Sequence, residues 1–157
     1  MKSLMAGRSD ARRQVMQMLY LVDQNPDADL RRIENSIRQE LNNPALSDFA
    51  WKLFCGVLQA REQLDRRIRA TASNWRLERM TITDRNVLRL GLFEMEQYGT
   101  PAAVVLNECI EMARDFGTEQ SASFVNGILD KLIPRASAST AEASTGPLST
   151  ESSGSGS

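Results

Sequence analysis

The segment GRSDARRQVMQMLY puts Arg8, Arg12 and Arg13 at the start of an apolar-striped run, with Asp10 among them. Arg8 and Arg12 are four apart and share a helix face, and Arg13 lies about 100° further round. A guanidinium fork matches two oxygens of one phosphate. A helix N-terminus favours anions and disfavours basic side chains, so arginines there gain when an anion visits. On these residues alone two readings stay open: a solvated helix end, or a grip on nucleic-acid phosphates.

Phe124 is a second candidate. It lies about 130° from the centre of its helix's apolar stripe at 100° per residue, with Gln120, Gly127 and Lys131 as face-mates. Such a ring either packs on a neighbouring helix or offers a stacking surface to single-stranded RNA, worth roughly 1–3 kcal/mol per base. Tyr20, off the centre of its stripe, reads as half-buried, and Asp84 as a capping acid.

Other chemistry is poorly supported. The chain of 157 residues has no histidine, which removes the usual general base, the Ser-His and Cys-His pairs and histidine metal sites. No P-loop or Gly-x-Gly-x-x-Gly cradles a phosphate. Cys55 and Cys109 lack metal or redox spacing and fall in apolar helical patterns, which reads as reduced core thiols in a cytoplasmic protein. No run approaches the ~20 apolar residues needed to span a bilayer. The expectation is a non-enzymatic protein with no metal or cofactor.

Net charge is −1, so bulk electrostatics do not advertise nucleic acid, but the distribution is uneven. Residues 1–13 carry Lys2, Arg8, Arg12 and Arg13 against Asp10. Residues 59–89 are also basic, whereas in 90–130 seven acids face Arg114 as the sole arginine. That asymmetry fits one surface for an anionic partner and another for a basic one; mixed charge on wet helix faces is the plainer account.

The elements that must position these residues read as helices, with no convincing alternation at period 2. The first starts near Ser9 as N-cap, with Ala11, Val15, Met18, Leu19 and Val22 inward. A second runs from about Asp29 to Leu41 on Leu30, Ile33, Ile37 and Leu41. A third, from about Ser47 to Ala72, turns Phe49, Leu53, Val57, Leu64 and Ile68 inward, and Gly56 marks a close contact or a kink. A short helix falls near Trp75–Arg79. Thr83 is the expected cap of a central helix that is apolar nearly all round and stops at Gly99. Thr100 and Pro101 open the next, which closes at Gly117. The last ends at Pro134. Residues 1–135 read as one helical domain, its first seven residues loose, and 136–157 as a disordered tail rich in Ser, Thr, Ala and Gly.

The stretches ARRQVMQMLY, DRNVLRLGLFEM, TPAAVVLNECIEMARDFG and SASFVNGILDKL, in that order, closely resemble the NusB family of transcription antitermination factors, from about Arg8 to Ile133. The resemblance implies an all-α, NusB-type bundle of about seven helices in two small subdomains. It also implies a role without catalysis: binding the boxA element of nascent ribosomal RNA transcripts together with ribosomal protein NusE, within an RNA polymerase antitermination complex. RNA contact carries over to Arg8, Arg12 and Arg13, and to Phe124 with Gln120 and Ser121 nearby. NusE contact carries over to Tyr20 and Asp84.

Two features depart from the family pattern: Ser9 and Asp10 interrupt the arginine run, and the Ser-rich tail is extra. Fewer phosphate contacts would weaken binding and flatten its salt dependence. The alternative is a NusB-like protein-interaction module, a homodimer among the options, with weak or no RNA binding. A regulatory domain of an RNA methyltransferase would need a methyl-donor-binding segment that these residues do not contain.

Overall fold

The computed structural model describes residues 7–72 and 77–142, with side chains to 133. Six α-helices and one short 3-10 turn make up its regular structure: α1 (Arg8–Gln24), α2 (Leu30–Leu41), α3 (Pro44–Thr71), the turn Leu77–Arg79, α4 (Ile82–Gln97), α5 (Ala102–Phe116) and α6 (Ser121–Glu142). The all-α expectation holds: among the described residues the six α-helices and the 3-10 turn correspond to the about seven helices expected. α1–α3 and α4–α6 form the two halves, and a single apolar core runs through both.

Local signals set the helix starts. Asp29 accepts from the Arg31 N–H at 2.9 Å, and Asn43 from the Leu46 N–H at 3.2 Å with Pro44 at the first helical position. These are orphan N–H groups that the helix itself leaves unbonded. Three expected caps are corrected. α1 starts two residues early: Gly7 is its N-cap, and Asp10 reaches back to accept the Gly7 N–H at 2.9 Å. Ser9, expected as the cap, is already helical. α4 is capped by Thr81, whose Oγ1 accepts the Asp84 N–H at 3.1 Å, and not by Thr83. α5 has Pro101 at its N-cap, and the Thr100 hydroxyl instead donates to Glu94 Oε1 at 3.1 Å.

α4 is the central helix. It touches α1, α3, α5 and α6, and Val87, Leu88, Leu90 and Leu92 are fully buried. Two glycines allow its neighbours to approach closely. A Cβ on Gly56 of α3 would meet the Phe93 ring at 2.1 Å, and one on Gly91 would meet Cys109 Sγ at 2.5 Å. The Gly56 expectation therefore resolves as a close helix contact. Tyr98 closes α4 and Gly99 follows at φ +61°, the left-handed position that glycine takes without a Cβ clash.

Further corrections concern faces and ends. Leu30, expected inward, is exposed at the first position of α2, while Ile33, Ile37 and Leu41 are buried. The buried face of α1 is rotated toward Arg12 and Met16, leaving Met18 and Val22 half-buried. α6 does not stop at Pro134 but runs to Glu142. Proline costs one hydrogen bond there, and the following Ala136, Ala138 and Ala141 are the strongest helix formers. Residues 136–142, expected in the disordered tail, are thus helical. Residues 1–6, 73–76 and 143–157 lie outside the described residues, and with them most of the expected loose start, the start of the short helix and most of the tail.

Candidate nucleic-acid interface

The three arginines of α1 have three different surroundings. Arg8 is exposed, with its guanidinium 4.5 Å from the centroid of the Phe49 ring, within cation–π range. It makes no ion pair among the described residues. Phe49 in turn meets Tyr98 edge-on at 5.7 Å, so Arg8 rests on a small aromatic platform. Burial pushes the Tyr98 hydroxyl pKa up, and the charge of Glu94 adds to this.

Arg13 is partly exposed and committed to an acid across the molecule. Its Nε and one terminal N–H donate to Asp115 Oδ2 of α5 at 3.0 and 2.7 Å.

Arg12 is 3% exposed. Its Nε donates to Glu94 Oε2 at 2.8 Å and a terminal N–H to the other carboxylate oxygen, a two-pronged pair in the core, while Glu108 stands 3.7 Å away. Burial pulls the guanidinium pKa down, but the hydrogen bond and charge of Glu94 outweigh it and the net direction is upward. Ser9 donates to Glu108 at 2.7 Å and Thr100 to Glu94, so the pair sits in a satisfied network joining α1, α4 and α5. The expected phosphate contact at Arg12 meets a physical obstacle: the fork is filled and almost no surface is left for an RNA oxygen.

Sequence reasoning missed Glu94, Glu108, Asp115 and Phe49. Glu94 carried a signal. A carboxylate within Leu90–Met95, a stretch of the central helix apolar but for Glu94, needs a buried cation, because an unpaired one is too costly to bury.

The Phe124 surroundings form a second region. Gln120, Phe124, Gly127 and Lys131, the face-mates read from the sequence, line one groove of about 730 Å³ against Met80 and Asp84. Phe124 is half-buried and packs against the core. Ser121 is only 1% exposed. Its Oγ accepts the Thr118 N–H at 2.9 Å, fixing the α5–α6 turn. It supports the groove from within.

Tyr20 and Asp84 do not share a groove. Tyr20 is 50% exposed and lines a smaller groove of about 390 Å³ with Met16, Gln17, Thr83, Asn86 and Phe116. Its floor is braced by Asn86, which donates to Asp23 at 2.8 Å and accepts from Arg89, itself paired in two places with Asp65. Asp84 faces the Phe124 groove; it is buried, and its Oδ1 makes no hydrogen bond among the described residues.

The NusB family model matches residues 9–134. The chain belongs to the NusB family. Among curated NusB-family relatives, the transcription antitermination protein NusB of Anaeromyxobacter dehalogenans is 42% identical over 128 residues, 80% of this chain and 89% of that one. The Sorangium cellulosum protein of the same name is 39% identical over 129 residues, covering 82% and 92%. Among solved structures, T. maritima NusB superimposes with a TM-score of 0.77 at 32% identity, covering 83% of this chain and 93% of that one. A chain from the crystal structure of antitermination factors NusB and NusE in complex with dsRNA gives 0.71 at 24% identity, covering 82% and 96%, a likeness of fold. Among the described residues of this NusB-family chain, no helix is long and apolar enough to cross a membrane.

Proposed function

We propose that this chain is a non-enzymatic, cytoplasmic transcription antitermination factor that binds boxA-type single-stranded RNA of nascent ribosomal transcripts together with ribosomal protein NusE, within an RNA polymerase antitermination complex. The observation that carries this reading is membership of the NusB family over residues 9–134. Relatives bear the antitermination name over most of their length, and one structure of the same fold was solved with NusE and dsRNA. The exposed Arg8, with Arg13 beside it, supplies phosphate contacts, and Phe124 with Gln120 supplies a base-stacking edge. Tyr20 belongs to the NusE face and Asp84 to the edge between the two. Residues 1–135 are the binding domain.

The second reading, a protein-interaction module or homodimer with little RNA affinity, draws on one observation: of the three arginines, Arg12 and Arg13 are already paired with Glu94 and Asp115. Filter binding of a boxA-type RNA, with and without NusE, separates the two. RNA retention that strengthens with NusE, and that Arg8→Ala weakens with a salt slope about one unit shallower, supports the first. No retention in the presence of NusE sinks it.

A further inference from the structure

Helix α5 turns two acids toward the arginine-bearing start of α1. Glu108 and Asp115 are two turns apart and so lie on one face, Glu108 against Ser9 and Arg12, and Asp115 against Arg13. The two pairs differ in accessibility. Arg12–Glu94 is sealed in the core, whereas the Arg13 and Asp115 side chains are 39% and 44% exposed. In the Arg13 pair, Nε and a terminal N–H both converge on one carboxylate oxygen. Those are the donors a phosphate would take.

We propose that Asp115 is a built-in competitor for RNA at Arg13, setting both the affinity of the α1 surface for phosphate and its response to salt. The proposal rests on the RNA-binding reading above. An incoming phosphate must displace the Asp115 carboxylate and then sit beside the charge it displaced. An exposed ion pair is cheap to open, so the competition lowers affinity without abolishing it. It also removes one cation from those that release counterions on RNA binding, because Arg13 is neutralised before RNA arrives. Asp10, whose carboxylate caps α1 through the Gly7 N–H, pairs with no arginine among the described residues, so Asp115 is the acid that matters at Arg13.

The test is a double-mutant cycle in the full chain, read by filter binding of a boxA-type single-stranded RNA with NusE present, over a series of salt concentrations. Asp115→Asn is expected to tighten binding roughly two- to five-fold at low salt, within what an exposed ion pair can contribute, and to steepen the salt slope by a fraction of a unit. In an Arg13→Gln background the same substitution should gain nothing. Glu111→Gln removes an equal charge one turn away, from an acid paired with Arg114, and should gain less than Asp115→Asn. The proposal is overturned if Asp115→Asn leaves affinity and slope unchanged, if its gain persists without Arg13, or if Glu111→Gln matches it. Should wild type bind no RNA with NusE present, the RNA-binding reading itself has failed; Asp115→Asn failing alone leaves that reading standing.

Discussion

Arg12 of α1 and Glu94 of α4 are joined across the core by a two-pronged ion pair between side chains 82 residues apart, neither with appreciable contact with solvent. Removing one partner of such a pair strands the other charge and costs about 3–5 kcal/mol. Arg12→Ala should therefore lose about that much stability in urea unfolding, while any RNA still bound by the folded fraction shows an unchanged salt slope. A loss under ~1 kcal/mol together with a shallower salt slope would mean that Arg12 faces RNA.

Gly56 and Phe93 give a packing test. With the Phe93 ring 2.1 Å from where a Cβ would stand, Gly56→Ala should cost about 1–3 kcal/mol through overpacking, despite alanine's better helix propensity. Adding Phe93→Leu makes room, so the double variant should be less destabilised than the sum of the singles. Strict additivity would show that the ring yields at no cost.

Leu88, fully buried on α4, should cost about 2–5 kcal/mol as Leu88→Ala, measured by the shift in denaturation midpoint at constant m-value.

Phe124→Ala combines two effects. Because the ring is half-buried against the core, stability should fall by about 1–2 kcal/mol, less than the ~3–5 of a fully buried phenylalanine. RNA affinity of the folded protein should fall by about 1–3 kcal/mol with no change in salt slope, because stacking releases no counterion. Normal RNA binding would remove Phe124 from the interface.

The two thiols should differ in reactivity. Cys109 is buried, its pKa driven up by burial and further by Glu94. Cys55 is partly exposed and more mildly raised, by burial and then by Glu34. The thiolate reacts, so a raised pKa slows labelling at neutral pH and lets it rise as pH increases. A maleimide or disulfide reagent should label Cys55 slowly, faster above pH 8, and Cys109 only on unfolding. Prompt labelling of Cys109 in the native protein would contradict its burial.

The helical order, the central position of α4 and the glycine contact at Gly56 were legible because they depend on local pattern: periodicity, caps and breakers within a few residues. The misplaced starts came from competing cap candidates a turn or less apart, Gly7 against Ser9 and Thr81 against Thr83, where propensity alone does not choose. Pro134 failed as a stop because the alanines after it sustain the helix. The exposure of Arg8 and the shared face of Gln120, Phe124 and Lys131 were legible from helical spacing. It was illegible at Arg12 and Ser121, whose burial depends on partners in other helices or in the turn they fix. The separation of Tyr20 from Asp84 likewise follows from helix packing, which spacing does not encode.

Because α4 is the helix on which α1, α3, α5 and α6 converge, vectorial synthesis has a consequence for the newborn chain. Everything N-terminal to Ile82 leaves the ribosome before its main packing surface exists, and at ~5–20 residues per second Glu94 follows Arg12 by roughly 4–16 s. During that interval α1 and α3 present an unsheltered apolar face and Arg12 an uncommitted positive charge. A nascent chain stalled before α4 should therefore lean on chaperones and on the anionic ribosome surface, and release from both should coincide with the emergence of residues 82–97.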